Sequence, residues 1–138
     1  MPYWQLFYHV VWSTKNREPL LTPELEPLVY ELVRSKTSNL EGKIFALNGM
    51  RDHVHLVASI PPKVAVATFI GQVKAFVSTR INQSQLVSFP FAWQEEYGLF
   101  SFDKKRLPHH VAYVERQKEH HAQGTLIPLL ERTNDKSL

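Results

Sequence analysis

The sequence predicts an α+β domain: a split β-α-β arrangement with one antiparallel four-stranded sheet, helices on one of its faces, and an additional C-terminal helix. Three observations carry this. Four segments are rich in aromatic and β-branched residues and bounded by turn residues, the composition of strands. Two longer segments repeat apolar residues at helical spacing. The order is strand, helix, strand, strand, helix, strand, helix, so two β-α-β units are followed by one more helix, the ferredoxin-like order.

Tyr3 to Ser13 reads as the first strand. Trp4, Leu6, Tyr8, Val10 and Trp12 share one face and Tyr3, Gln5, Phe7, His9 and Val11 the other. Apolar residues on both faces predict a central strand. The basic loop Lys15-Asn16-Arg17 follows. Thr22-Pro23-Glu24 is a helix start, with a hydroxyl cap, a proline in the first turn and then an acid. Leu25, Leu28, Val29, Leu32 and Val33 form its apolar stripe.

Lys43 to Leu47 and His53 to Ile60 read as a hairpin-like pair of strands. Asn48-Gly49 is the expected turn, lengthened by Met50-Arg51-Asp52. Pro61-Pro62 ends the pairing, because neither can donate to a ladder. Val64 to Gln83 is the clearest helix, with Val66, Phe69, Ile70, Val73, Phe76, Val77 and Ile81 on one side; Lys74 and Arg80 are expected away from the centre of that stripe. Gly98 to Phe102 is the fourth strand. The last helix is expected from about Pro108 to Ala122, starting after Pro108-His109-His110.

A chain of 138 residues fits one domain, expected over 1–131, with a polar, disordered tail at 132–138. There is no cysteine, so any metal must be held by imidazole, carboxylate, amide or water. A net charge of +3 suits a polyanionic partner without identifying one. No apolar run reaches the ~18 residues of a membrane span, and Met1-Pro2-Tyr3-Trp4 lacks a signal-peptide layout. No membrane association is expected, and the cytoplasm is the expected location.

Asp52-His53-Val54-His55-Leu56 is the sharpest feature. On a strand His53 and His55 point to one face, about 7 Å apart at their bases, and can converge on one divalent ion. Taken alone, the pair also reads as two histidines exposed on a sheet. Tyr113 and Gln117 are four residues apart on the last helix and project together, with His110, His120 and His121 within a turn. A phenol needs activation to attack at neutral pH, since its pKa is about 10. Phe91-Ala92-Trp93-Gln94 offers aromatics that stack on unpaired bases or, more often, simply fill a core.

Together these segments resemble the HUH-type single-tyrosine transposases, of the small insertion-sequence and repeat-associated kind. The name denotes His, a hydrophobic residue, His, here His53-Val54-His55. Tyr8-His9-Val10-Val11-Trp12-Ser13-Thr14-Lys15-Asn16-Arg17, Phe91-Ala92-Trp93-Gln94, Tyr97-Gly98, and Tyr113-Val114-Glu115-Arg116-Gln117 with His120-His121 occur in the family's order. The resemblance runs from about residue 3 to 123.

The resemblance implies that Tyr113 attacks single-stranded DNA, leaving a 5′-phosphotyrosine and a free 3′-hydroxyl. It implies that His53, His55 and Gln117 hold Mg²⁺ or Mn²⁺, that the protein is a homodimer, and that no nucleotide cofactor is needed. The DNA would be the hairpin ends of a mobile element. Lys15, Arg17, Lys74 and Arg80 are the candidate phosphate contacts. Two rivals stand beside this reading: a single-stranded nucleic-acid-binding module without cleavage activity, and a metal-dependent phosphoesterase that uses water as nucleophile.

Overall fold

The structure, a computed structural model, describes residues 2–135. Its elements are β1 (Phe7–Ser13), α1 (Glu26–Asn39), β2 (Lys43–Met50), β3 (His53–Ser59), α2 (Val66–Gln83), β4 (Gly98–Phe102), α3 (Leu107–Glu115) and α4 (Gln117–Gln123). Short 3-10 turns lie at Lys15–Arg17, Lys104–Arg106 and Pro128–Glu131. The strands form one antiparallel sheet in the order β2-β3-β1-β4, so the expected fold class holds and β1 is central.

The sheet has two different faces. Val10 and Trp12 of β1 and Val54, Leu56 and Ala58 of β3 enter the large core, where they meet α1 and α2. Val29 and Val33 come from α1; Phe69, Ile70, Val73, Val77 and Ile81 come from α2. The opposite face carries a smaller core of Ala46, Val57 and Val114, packed by Phe45, Phe102, Leu107 and Val111. Thus α3 covers the second face, and the remaining polar side chains there are enclosed with it.

Several boundaries move for physical reasons. β1 begins at Phe7 rather than Tyr3, because its partner β3 ends at Ser59, opposite Phe7, ahead of the donor-less Pro61-Pro62. Thr22 does start the first helical turn: its carbonyl accepts from Glu26 N at 2.8 Å and its hydroxyl from Leu25 N at 3.3 Å. Asn48-Gly49 is not the turn. Both stay in the ladder opposite His55 and Val54, and Arg51-Asp52 alone connects Met50 to His53. Gly49 is required there because a Cβ would collide with the His53 carbonyl oxygen.

The last helix is two helices. It starts at Leu107, with Pro108 in the first turn, and breaks at Arg116, whose φ of −101° and ψ of 21° leave the helical region. Of the tail expected at 132–138, Thr133 is buried, the Arg132 carbonyl packs over Gly98, and 136–138 lie outside the described residues. No described helix is long and apolar enough to cross a membrane.

Candidate active site

Strand alternation on β3 sets the site. Val54 and Leu56 go into the large core, so His53 and His55 leave the opposite face together, with ring centroids 5.1 Å apart. They are not exposed on an open sheet: both are buried beneath α3, α4 and the turn at Pro128–Glu131. A cleft of about 560 Å³ lined by Arg17, Arg51, Asp52, His53, His121 and Glu131 opens beside them.

Each imidazole is held from behind. Asp52 Oδ1 lies 2.7 Å from His53 Nδ1, which fixes that ring with Nε2 pointing inward. His55 Nδ1 lies 2.8 Å from His9 Nε2, and His9 Nδ1 lies 2.9 Å from His110 Nδ1, forming a buried chain of three rings. His9 projects from β1, diagonally across the ladder from His55. His110 stacks on Phe102 with centroids 3.9 Å apart.

The inward-pointing atoms converge. His53 Nε2 is 3.2 Å from Gln117 Oε1, from His121 Nε2 and from Glu131 Oε1. His55 Nε2 is also 3.2 Å from Glu131 Oε1. His121 Nε2 is 2.8 Å from Gln117 Oε1. The break at Arg116 does not separate Tyr113 from Gln117: the Tyr113 hydroxyl donates to Glu131 Oε2, and Gln117 Nε2 donates to the same oxygen at 3.3 Å. Tyr113 also accepts from Ile127 N at 3.1 Å and stacks on His120.

The charges follow from these contacts. Burial opposes a charged His53, but its bonds to Asp52 and Glu131 outweigh it and raise its pKa to about 9. Burial would raise Glu131, yet hydrogen bonds from His53, His55 and Tyr113 hold it far below the usual carboxylate range. Burial lowers His55, and it pushes His9 down to about 2, helped by His55 and His110. Burial and the bond to Glu131 push the Tyr113 phenol up to about 12. As it stands, the phenol is protonated and needs a partner to take its proton.

Imidazole nitrogens and a carboxylate oxygen facing one point could hold a divalent ion. His53, His55 and Glu131 present ligand atoms all within 4.8 Å of one another. Glu131 was not among the residues singled out from sequence; the apolar run Leu126-Ile127-Pro128-Leu129-Leu130 before it was the available sign that this segment packs.

The basic candidates separate. Lys15 and Arg17 are exposed on the loop after β1, and Arg17 Nη1 lies 3.5 Å from Asp52 Oδ2, at the cleft. Lys74 is placed differently from the expectation. It lies four residues after Ile70 and three before Val77, inside the buried stripe, and its ammonium donates to the carbonyls of Gln94, Glu95 and Glu96 at 2.6, 3.1 and 3.2 Å. Arg80 is exposed on α2, across the sheet from the histidines, with its guanidinium 4.9 Å from the Phe76 ring centroid. Phe91 and Trp93 are packed rather than free for bases: Phe91 is in the core and Trp93 lies edge-on to Phe91 and Trp12.

Residues 2–117 match the family described as "Transposase IS200 like". The chain is similar to the ISDra2 transposase TnpA of Deinococcus radiodurans, 23% identical over 125 residues that span 84% of this chain and 86% of that protein. It is 30% identical over 71 residues to the transposase for insertion sequence element IS200 of Salmonella typhimurium, spanning 51% of this chain and 47% of that protein. Among solved structures, the REP-associated tyrosine transposase bound to a REP hairpin shares the fold. Its TM-score is 0.67 at 14% identity, over 88% of this chain and 74% of that one.

Proposed function

The chain belongs to the IS200-like transposase family, and we propose that it cleaves and rejoins single-stranded DNA through a covalent bond to Tyr113, assisted by a divalent ion. The observation that carries this reading is convergence: His53 Nε2 and His55 Nε2 meet on Glu131 Oε1, the Tyr113 phenol and Gln117 Nε2 meet on Oε2 of the same carboxylate, and Gln117 Oε1 faces His53 Nε2. A binding module without cleavage activity would leave that convergence unused.

His53, His55 and Gln117 would hold the ion, Mg²⁺ or Mn²⁺. When bound it would polarise the scissile phosphate and stabilise its developing charge. The rest falls to the protein. Arg17, which lines the cleft, and Lys15, exposed on the same loop, would hold the flanking phosphates. The Tyr113 oxygen would bond to phosphorus as the bond from phosphorus to the 3′ oxygen breaks. The hydrogen bond to Glu131 Oε2 would orient the phenol, whose proton would be lost to solvent as the new bond forms, while the departing 3′ oxygen would take up a proton. The products are a 5′-phosphotyrosine and a free 3′-hydroxyl, and attack by another 3′-hydroxyl reverses the step. The substrate would be a hairpin end of a mobile element, handled by a homodimer; the hairpin-bound structural neighbour supports the first part.

The test is incubation of labelled single-stranded DNA hairpins with the protein and Mn²⁺, resolved on a denaturing gel. The unaltered chain yields a protein–DNA adduct and Tyr113→Phe yields none. An adduct with the phenylalanine variant would reassign the nucleophile; cleavage without any adduct would favour water as the attacking group.

A further inference from the structure

We infer that Glu131 is itself a ligand of this metal site and the group that ties Tyr113 to it, Oε1 completing the donor set and Oε2 holding the phenol. The inference rests on the metal-assisted reading above and extends it to a residue 14 positions beyond Gln117, where the family match ends.

Spacing is the first argument. Around an ion with bonds of about 2.2 Å, neighbouring donors in octahedral array lie about 3.1 Å apart. Glu131 Oε1 is 3.2 Å from His53 Nε2 and 3.2 Å from His55 Nε2, and Gln117 Oε1 is 3.2 Å from His53 Nε2. Glu131 thus stands to the two imidazoles as Gln117 stands to one of them.

Charge is the second. Neutral imidazoles and an amide bring no negative charge to a divalent ion, and a buried, uncompensated charge is costly. Asp52 offsets part of it from behind His53. Among the described residues, Glu131 is the carboxylate that faces the donors directly.

Seating is the third. The segment bearing Glu131 is built into the domain. Leu130 and Thr133 on either side are buried. The Arg132 carbonyl occupies the space a side chain at Gly98 would fill. Ile127 N donates to the Tyr113 hydroxyl at 3.1 Å. A carboxylate so fixed can hold a nucleophile and an ion in one geometry.

The contrary idea is that Glu131 is a plug that an ion must displace, and the two ideas predict opposite signs. Mn²⁺ binding to the full chain is measured by calorimetry and by electron paramagnetic resonance, for the unaltered protein, Glu131→Gln and His53→Ala. We expect one Mn²⁺ per chain, and affinity lower by roughly tenfold or more in Glu131→Gln. Equal or tighter binding by Glu131→Gln overturns the inference while leaving the metal site standing. Binding by His53→Ala as tight as the unaltered chain, or no binding by the latter, defeats the metal reading and the inference with it. Should Glu131→Gln fail to fold in chelator, manganese-soaked crystals of the unaltered chain decide. An ion within about 2.0–2.4 Å of a Glu131 oxygen sustains the inference; a coordination sphere without Glu131 overturns it.

Discussion

His9 Nε2 lies 2.8 Å from His55 Nδ1, and this contact decides which nitrogen of His55 is free for the site. An ionised Glu131 can only accept, so without an ion a neutral His55 donates Nε2–H to it, which leaves Nδ1 to accept from His9 and a neutral His9 to accept at Nδ1 from His110. With an ion on His55 Nε2 the proton moves to Nδ1 and every donor in the chain reverses. Because burial keeps His9 neutral, it can be donor on one side and acceptor on the other in either state. His9 is a positioning residue for His55.

His9→Ala should lower Mn²⁺ affinity by roughly tenfold or more, with a loss of stability from the cavity and the unpaired nitrogens of His55 and His110. His9→Gln, which keeps a donor and an acceptor, should recover part of the affinity. The comparison is made by metal titration and thermal melting together. If Gln restores stability without restoring affinity, His9 only fills space.

Lys74 and Arg17 should separate in DNA binding. Removing Arg17 should flatten the log–log salt dependence by about 0.7 units for single strands, as for one lost phosphate contact. Lys74→Met should leave that slope unchanged, because its ammonium serves three carbonyls inside the protein. It should instead lower the melting temperature, since those carbonyls lose a charged donor. Filter binding at several salt concentrations, with thermal melting, checks both. A flattened slope in Lys74→Met would return it to the DNA surface.

How much of this could be read from sequence depends on how local the governing physics is. The shared face of His53 and His55 was legible because strand alternation is a two-residue property. The same alternation puts Val54 and Leu56 on the opposite, core face. The break at Arg116 was not, because Tyr113 to Ala122 carries no proline or glycine to mark it. A charged side chain favours solvent, but the helical phase of Lys74 puts it with Ile70 and Val77. Asn48-Gly49 carries turn chemistry, yet its glycine serves a close approach between strands. Glu131 lies on a 3-10 turn without periodicity, and its place is set by a contact to Gly98 some thirty residues earlier, which no local pattern encodes.

Gly98 offers a way to move Glu131 without touching the site. A Cβ at Gly98 would collide with the Arg132 carbonyl oxygen and press on the Val11 side chain at 2.8 Å. Gly98→Ala should therefore push the Glu131 segment off the sheet while leaving His53, His55 and Gln117 in place. Mn²⁺ affinity should fall in the direction of Glu131→Gln, and the melting temperature should fall as well. A second substitution, Glu131→Gln added to Gly98→Ala, should then cost less affinity than it does alone. Additive losses would show that the two positions act independently.

The last prediction is the pH dependence of metal-free stability. His53 has its folded pKa raised to about 9 from an ordinary value of 6.5, through Asp52 and Glu131 acting against burial. Its stabilisation is therefore fully present below pH 6.5 and is lost as pH rises towards 9. The other shifted histidines, His9, His55, His110 and His121, are lowered and change their contribution only below 6.5. Asp52 and Glu131 are lowered carboxylates and act only at still lower pH. Burial lowers Lys74 to about 8, a penalty relieved only above that pH. Between pH 6.5 and 8, His53 is thus the shifted group that changes, and in chelator the melting temperature should fall across this window. Saturating Mn²⁺ should act the other way, because the ion replaces the His53 proton, so the gap between loaded and metal-free melting temperatures should widen with pH. His53→Gln should abolish the fall in chelator. A melting temperature that stays flat in the unaltered chain over this window would mean that His53 is already neutral, and that Asp52 and Glu131 do not hold its proton.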